Sequence, residues 1–351
     1  MLHHAKAHAL HPAERLPCLD GWRGVSILVL LFGHFTPLPW INMGRVGVEL
    51  FFVLSGRLMA DILFVQKAEL GPFFRRRIAR VWPALAVFVA VIALNPLGLE
   101  AWRLDAFDIA ATLTFWVNYG NLYKNVATVF DHVWSLSVEE HSYVLLAGLA
   151  LAARRWSLNV PMLLGALAVA AVANGALQTL IGGLHYFQVY WRTDVRIASI
   201  LMAGAVYLRV REAGLVLPGW WGAAPLALGL LGLALNVQAA PDWLKYSAGT
   251  ACFALAVAIF DRGHPLLARL IEHPVLQRFG LWSFSLYVWQ QAFYVLKDDM
   301  PRSLDARLAL LAGAVACGLI SFYVVEQPCR RFLNRYWGRL RRFPAALPTR
   351  A

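Results

Sequence analysis

The chain has 351 residues, of which 60% are hydrophobic and only 15% are charged, and its mean hydropathy is +0.57. A soluble protein of this length would carry about a quarter charged residues, so the composition excludes an ordinary soluble domain. The net charge of +12 could indicate a nucleic-acid partner, but the basic residues lie in short segments between long apolar runs. The composition therefore predicts an all-α polytopic integral membrane protein that binds no nucleic acid.

The apolar runs predict about ten transmembrane helices. Placing the N-terminus in the cytoplasm puts most of the 32 lysines and arginines on the cytoplasmic side, as the positive-inside rule requires. An even number of spans makes the C-terminus cytoplasmic too. The predicted spans are Leu19–Leu38, Gly44–Val65, Val81–Leu97, Trp134–Ala152, Val160–Leu180, Ile197–Leu208, Trp220–Val237, Ser247–Phe260, Leu281–Leu296 and Leu308–Val325.

One segment does not fit this scheme. Ala106–Tyr123 has an apolar middle that is short and interrupted, so we expect an outer loop over Arg103–His132 with a re-entrant piece. A full crossing would give eleven spans. The predicted organisation is a cytoplasmic leader (1–18), one transmembrane domain (19–332) and a basic cytoplasmic tail (333–351), without a cleavable signal peptide. The four cysteines are isolated, so neither a metal site nor a disulfide framework is expected.

The first span carries two ionisable residues, Arg23 and His34, eleven positions apart. Eleven residues make about three helical turns, so both side chains are predicted on nearly one face, roughly 16 Å apart along the axis. An ionisable residue within a membrane span is expensive and by default functional. With Asp20 at the start of the same helix, this stripe predicts a path from a membrane surface into the bilayer.

The second span contains Glu49 near its outer end and Arg57 near its middle. They predict either a functional site or a structural role, as an intramembrane ion pair or a snorkelling arginine.

The segment after it, Phe73–Pro83, has four arginines in six residues and is expected to be a cytoplasmic loop. Arg77 and Arg80 would face the same way on a helix. Because arginine forks bind phosphate, the segment predicts a clamp for a phosphorylated cytoplasmic ligand. Topological anchoring or contact with anionic lipid is the alternative.

The fourth span opens with two adjacent carboxylates, Glu139 and Glu140, close to histidine. Together with Trp134 and Ser135 they predict the lining of a water-filled outer cavity that orients a base or an acceptor hydroxyl. An interfacial helix cap is the alternative, because carboxylates favour the first turn of a helix.

Six segments in order resemble the acyltransferase-3 family of bacterial membrane O-acyltransferases. They are LDGWRGVSILVLLFGHF, GVELFFVLSGRLM, FFRRRIARVWP, HVWSLSVEEHSY, SFSLYVWQ and FYVVEQPCRRF, within residues 19–332. The resemblance implies about ten helices, in the bacterial inner membrane. It also implies transfer of an acyl group, usually acetyl from acetyl-CoA, to a sugar hydroxyl of a lipid-linked or polymeric glycan. Two positions depart from the family pattern: Arg57 replaces an apolar residue, and Gln290 replaces a histidine of many members.

Residue by residue, the resemblance assigns the family's Arg–ten–His pair to Arg23 and His34, its RxxR motif to Arg77 and Arg80, and its SLSVEE acids to Glu139 and Glu140. Acyl-CoA is then a co-substrate, and no bound cofactor is expected. His34 would be the general base for the acceptor hydroxyl or would carry the acyl group covalently. Glu139 would orient His34 or the acceptor, and Arg23 would guide the CoA arm or stabilise the oxyanion.

The remaining candidate residues fall into two groups. The CoA phosphates are expected on Arg76, Arg77 and Arg80. The acceptor or its supporting groups are expected at Asp20, Glu49, Trp134, Ser135, Glu140, Asp194, Tyr287, Gln290 and Glu326. Glu326 has a simpler reading as the cytoplasmic end of the last span.

Two other functions fit the same features. A transporter of glycolipids or small molecules would also have intramembrane charges and a basic cytoplasmic segment, but it would need no thioester ligand. A non-catalytic subunit of a polysaccharide-export system is the second, and the joint presence of Arg23 and His34 argues against it. Binding of acyl-CoA separates the enzyme from the transporter.

Overall fold

The computed structural model describes residues 17–301 and 303–340. Over these residues the regular structure is helical, and the β-type pairings are two isolated bridges that share Ile41. The prediction of an all-α protein is therefore confirmed. Most of the expected leader (1–16) and the end of the expected basic tail (341–351) lie outside the described residues.

The described chain forms sixteen α-helices. They are α1 Pro17–Phe35, α2 Met43–Ala60, α3 Leu70–Leu94, α4 Ala106–Leu113, α5 Val117–Tyr123, α6 Val133–Arg155, α7 Val160–Leu180, α8 Tyr186–Tyr190, α9 Thr193–Glu212, α10 Ala224–Leu235, α11 Asp242–Leu244, α12 Thr250–Ala258, α13 Pro265–Ile271, α14 Pro274–Tyr294, α15 Leu304–Ser321 and α16 Gln327–Leu340. Three π-helical turns extend them: Asp61–Val65 after α2, Lys245–Gly249 before α12, and Phe322–Glu326 between α15 and α16.

Four helices of the described chain are long and apolar enough to cross a membrane: Pro17–Phe35, Leu70–Leu94, Val160–Leu180 and Leu304–Gly338. The last is α15 continued through its π-turn into α16. The other predicted spans coincide with helices that are shorter, less apolar or more charged. The count of ten spans and the cytoplasmic placement of both termini therefore stay predictions.

The third predicted span begins too late. α3 starts at Leu70 and not at Val81, so the arginine-rich segment is helix and not loop. The charges conceal this start, because consecutive arginines lower the hydropathy of every window that contains them, whereas arginine itself is a good helix former. Pro72 lies in the first turn, where proline is tolerated.

The ambiguous segment Ala106–Tyr123 forms two short helices, α4 and α5, separated by Phe115 with φ at 59°. At 1.5 Å per residue each is at most about 12 Å long, so neither crosses a hydrocarbon core of about 30 Å. Nη2 of Arg154, at the end of α6, donates to the carbonyl oxygen of Ala68, just before α3, at 2.7 Å. The start of α3 and the end of α6 therefore lie on the same side of the bundle. A re-entrant loop between these two helices requires this arrangement.

At the centre of the bundle, α1 packs along α14 and α2. The backbones of α1 and α14 touch, because a methyl group at Gly24 would overlap the carbonyl oxygen of Leu276, and one at Gly280 would overlap that of Asp20. α16 packs against α3. These contacts gather α1, α2, α3, α6 and α14 around one cavity.

Candidate active site

A cavity of about 230 Å³ lies between these five helices. Its α2 wall is largely apolar, and four arginines enter it, three of them from α3. The polar residues that line it are Arg23, Ser55, Arg76, Arg77, Arg80, Ser135, Glu139, Tyr143, Ser283 and Tyr287. A concave, largely apolar cavity with a few convergent polar groups is the usual form of a small-molecule site.

Arg77 is bound to both acids of α6. Its Nε lies 2.6 Å from Glu140 Oε1 and its Nη2 lies 3.1 Å from Glu139 Oε2. The guanidinium also stacks on the ring of Tyr143, 3.6 Å from the centroid. Glu139 accepts further hydrogen bonds from the hydroxyls of Ser55 at 2.8 Å and Tyr143 at 3.1 Å. Charge-assisted bonds of this kind fix both position and orientation.

These contacts overturn one expectation. The topology predicted from the sequence puts the Arg77 segment and Glu140 on opposite faces of the membrane, but their side chains are in direct contact. The reason is the early start of α3, which carries Arg77 into the bundle as part of a helix. Arg77 and Arg80 do line the same cavity, as their spacing predicts.

Two carboxylates, those of Asp20 and Glu326, lie beside the cavity arginines. Nη1 of Arg23 is 3.3 Å from Oδ1 of Asp20. Glu326 is fully buried, accepts the Ser285 hydroxyl at 2.7 Å and lies within electrostatic range of Arg80. The helix continues past Glu326 into α16, and the reading of Glu326 as the cytoplasmic end of the last span stays a prediction.

His34 lies outside the set of residues that line this cavity. Its Nδ1 is 2.7 Å from Oε1 of Gln290, and its ring lies against Tyr294 with 4.4 Å between centroids. Because the amide oxygen of Gln290 accepts, Nδ1 carries the proton and Nε2 keeps its lone pair. The residue that departs from the family pattern is thus the direct partner of His34. In the described chain Glu139 bonds to Arg77, Ser55 and Tyr143 instead, so it orients Arg77 and not His34.

Tyr287 connects the cavity with the start of α6. Its hydroxyl donates to the backbone carbonyl of His132 at 2.7 Å and lies 2.6 Å from Oγ of Ser135. Tyr287 and Ser135 both line the cavity, whereas His132 is buried behind them. Burial, with a smaller contribution from His34, lowers the pKa of His132 to about 3, so its imidazole is neutral at pH 7.

Glu49 and Arg57 lie away from the cavity, each with its own partner. Glu49 forms a fully buried ion pair with Arg196. Arg57 pairs with Asp261 at 2.7 Å and donates to the carbonyl oxygen of Val257 at 2.6 Å. Glu49 and Arg57 therefore each form an ion pair, which is what the sequence analysis expects if their role is structural.

Asp194 and Trp134 lie outside the set of residues that line the cavity. Asp194 joins α9 to α7 and α5: Nη2 of Arg192 lies 3.0 Å away, Nδ2 of Asn174 lies 2.9 Å away and the Tyr119 hydroxyl lies 3.2 Å away. Trp134 stands edge-on to an aromatic ring of the α2 wall, with 5.8 Å between centroids.

Four residues of the site have no counterpart among the sequence-based candidates: Ser55, His132, Tyr143 and Ser283. Tyr143 could be found from its spacing, because it lies four residues after Glu139 on the same helix face. Ser55 interrupts an apolar run in the second span, which is a weaker signal. His132 precedes Trp134 and reads like any polar residue at the start of a helix.

The fold and the cavity together define a helical protein with helices long and apolar enough to cross a membrane and with a central cavity that four arginines line. The profile of the acyltransferase-3 family, described as an acyltransferase domain, matches residues 16–326. The chain therefore belongs to this family, as the six sequence segments imply.

The chain is similar to several named proteins over most of its length. It is 26% identical to peptidoglycan O-acetyltransferase OatA of Listeria monocytogenes and 24% identical to O-acetyltransferase OatA of Staphylococcus aureus, over 92% of the chain in each case. It is 25% identical, over 90% of the chain, to a putative O-acetyltransferase of another S. aureus strain. The matches cover 57% or 58% of these relatives, so the chain spans little more than half their length. No solved structure matches it.

Proposed function

We propose that this chain is a multi-pass O-acyltransferase of the bacterial inner membrane. It transfers an acyl group, most simply acetyl, from cytoplasmic acyl-CoA to a hydroxyl of a glycan or glycolipid. The observation that carries the proposal is the cavity with four arginines, because α14 supplies both Tyr287 of its lining and Gln290, the partner of His34. With both termini in the cytoplasm, the arginine-rich start of α3 faces the compartment that holds acyl-CoA.

The cavity suits acyl-CoA in charge and shape. The phosphates of CoA are anionic, and guanidinium groups bind phosphate through paired N–H donors. Arg76 and Arg80 are the phosphate ligands in this proposal, because the fork of Arg77 is already held by Glu139 and Glu140. The apolar α2 wall accommodates the pantetheine arm, so that the thioester points toward Tyr287.

His34 is the proposed base. Its Nε2 lone pair takes the proton of the acceptor hydroxyl while the hydroxyl oxygen attacks the thioester carbonyl. Gln290 holds the ring in the tautomer that this step needs. A covalent acyl group on His34 would use the same nitrogen, and release of CoA before any acceptor is added would distinguish the two routes.

The names of the relatives support acetyl as the acyl group and a glycan as the acceptor. One is a peptidoglycan O-acetyltransferase, and the others are O-acetyltransferases by name. Because the chain spans only 57% of the first, the acceptor is assigned here as a class, a hydroxyl-bearing glycan.

The test measures binding and transfer separately, on the full chain in detergent. Titration calorimetry with acetyl-CoA compares the wild type with the Arg76→Ala/Arg80→Ala variant and with Arg75→Ala, an exposed neighbour that does not line the cavity. We expect the double variant to bind about tenfold or more weakly, since each hydrogen bond to a charged group is worth about 1.5–3 kcal/mol, and Arg75→Ala to bind normally. Mass spectrometry of surface glycans from cells with and without the gene then reports acetyl esters.

The outcomes separate the three candidate functions. Acetyl-CoA binding together with gene-dependent acetyl esters supports the enzyme. Absence of acetyl-CoA binding would favour a glycolipid transporter. Binding without any transfer would favour a non-catalytic subunit.

A further inference from the structure

Another cavity, of about 250 Å³, lies between α7, α8, α9 and α11. Four aromatic side chains line it, and we call it the aromatic pocket: Tyr186, Tyr190, Trp243 and Tyr246. Tyr190 and Tyr246 are buried, whereas Trp243 is 47% exposed. The pocket therefore has a buried aromatic base and an exposed aromatic rim.

A buried ion pair holds the rings at the base of the pocket. The guanidinium of Arg196, which lines the pocket, lies 3.6 Å from the ring centroid of Tyr246 and 5.1 Å from that of Tyr190. Glu49 in turn binds this guanidinium, and the hydroxyls of Tyr186 and Tyr246 lie 3.3 Å apart. Because these contacts fix the walls before any ligand arrives, binding costs little further ordering of side chains.

The aromatic pocket lies at the end of the bundle that carries His34. Gly44, in the first turn of α2, lies against the imidazole, because a methyl group built on it would fall 2.7 Å from Nε2 of His34. The next residue, Arg45, places its guanidinium 4.1 Å from the ring centroid of Tyr186. The first turn of α2 thus contacts the imidazole at Gly44 and the aromatic pocket at Arg45.

One aromatic layer separates the aromatic pocket from the cavity that the four arginines line, the arginine cavity. Phe52 lines the arginine cavity, and the guanidinium of Arg196 lies 5.6 Å from the centroid of its ring. Trp134 contacts both Phe52 and Tyr190, with 5.8 Å and 4.8 Å between ring centroids. A ligand of the aromatic pocket would therefore lie close to a ligand of the arginine cavity.

The lining of the aromatic pocket suits a sugar ring. The faces of a sugar ring carry polarised C–H groups, which the negative face of an aromatic ring attracts, whereas its hydroxyls need polar partners. Asp242 and Thr179 supply oxygens to the lining. Within the described chain Asp242 uses Oδ1 for Nζ of Lys245, at 3.2 Å, and a carboxylate can accept several hydrogen bonds. A lipid acyl chain would instead remove water from these polar groups without replacing it.

We propose that the aromatic pocket binds a sugar ring of the acceptor glycan, with one face of the ring on Trp243 and a hydroxyl on Asp242. This inference rests on the proposed function. The volume of the pocket is slightly below the usual range for ligand sites, about 300–1,000 Å³, so the pocket holds one ring and not a longer segment of the glycan. Binding there places the acceptor beside His34 and the arginine cavity.

The test uses the purified full chain in detergent with acetyl-CoA. The acceptor is the surface glycan and glycolipid fraction extracted from cells that lack the gene, and formation of acetyl ester is measured at increasing acceptor concentration. Trp243→Leu keeps apolar bulk but removes the aromatic face, whereas Trp243→Phe keeps a face. We expect Trp243→Leu to raise the KM for the acceptor about tenfold, equivalent to about 1.4 kcal/mol, and Trp243→Phe to stay within about threefold of the wild type.

Two controls accompany these variants. Binding of acetyl-CoA should be unchanged in both, because Trp243 does not line the arginine cavity. Phe187→Ala is the matched control, since Phe187 follows Tyr186 on α8, is exposed and does not line the aromatic pocket. It should keep the wild-type KM for the acceptor.

A wild-type KM in Trp243→Leu would overturn the sugar site and assign the pocket to an aliphatic ligand such as a lipid chain. An equal rise in Trp243→Leu and Trp243→Phe would overturn it too, because the aromatic face would then not matter. If Trp243→Leu does not fold, Ala176→Phe decides, since a larger side chain at this lining position fills the pocket: a raised acceptor KM supports the site, and an unchanged KM overturns it. A wild type that transfers no acetyl group ends the proposed function and this inference together, whereas an active wild type with an unaffected Trp243→Leu variant ends only this inference.

Discussion

Nε of Arg77 lies 2.6 Å from Oε1 of Glu140. The bond joins two segments 63 residues apart and links α3 to α6 across the cavity. With the second bond to Glu139, at 3.1 Å, it holds one arginine of the cavity wall in a fixed position and leaves the neighbouring arginines of α3 to meet the ligand.

This pair should behave as one coupled unit. We expect a double-mutant cycle of Arg77→Lys and Glu140→Gln to show a coupling energy of about 1–3 kcal/mol in the free energy of unfolding, because lysine cannot form the planar fork. Denaturant unfolding in detergent measures it. Arg75→Lys, an exposed neighbour on the same helix, should leave stability within about 0.5 kcal/mol. Additive effects of the two substitutions would show that the bond contributes nothing to stability.

His34→Ala should abolish transfer while the protein remains inserted and folded. A general base contributes about 10² to 10⁴ in rate, so kcat should fall by that factor, and the affinity for acetyl-CoA should stay the same because His34 does not line the arginine cavity. Gln290→Leu removes the partner of Nδ1 and should lower kcat by a smaller factor. A well-inserted His34→Ala variant with near-normal turnover would make His34 a structural residue.

Asp131 should make stability fall as the pH rises. Burial raises the pKa of this carboxyl to about 7, and its hydrogen bond from Asn121 at 3.2 Å opposes the shift only in part. A raised folded-state pKa means that the folded chain binds the proton more tightly than the unfolded chain, so this contribution is present in full near pH 4 and is lost as the pH rises to about 7. The thermal unfolding midpoint of the wild type in detergent should therefore fall as the pH rises from near 4 to about 7. Asp131→Asn should remove this pH dependence. The same pH dependence of the unfolding midpoint in the wild type and in Asp131→Asn would contradict the raised pKa of Asp131.

Thiol labelling tests the topology. Single cysteines at Glu69, Asn125 and Ser157 in a cysteine-free background all lie at exposed positions. The contact between Arg154 and Ala68 requires that positions 69 and 157 share a side. We expect an impermeant reagent to label intact cells at position 125 only. Labelling at 157 without 69 would show that Ala106–Tyr123 crosses the membrane after all, and labelling at 69 would reverse the orientation.

Local patterns in the sequence predict the helical class and several residues that line the cavity. Spacing places Arg77 and Arg80 on one face, and both line the cavity. The partners of these residues lie beyond such reasoning, because contacts such as that of Arg77 with Glu140 depend on how distant helices pack. The buried position of His132 is also unpredictable, since it arises from Phe88 on α3 and Tyr287 on α14.

The start of α3 shows a limit of locating helices by hydropathy. Hydropathy detects the part of a helix that is apolar, and the arginines from Arg75 to Arg80 hide the rest. The same error misplaces the cavity, because a loop at the membrane surface cannot reach the acids of α6. Helix propensity, which rates arginine highly, predicts the longer helix where hydropathy does not.

The glycine contact between α1 and α14 determines which side of the site can move. Because Gly24 and Gly280 bring the two backbones together without intervening side chains, the helices that carry His34 and Gln290 form one rigid body. The opposite wall is held by the side-chain bonds between α3 and α6, which can open and reform. If the proposed function holds, we therefore expect substitutions in the α3–α6 wall, and not on the helix that carries His34, to change the selectivity for acyl-chain length.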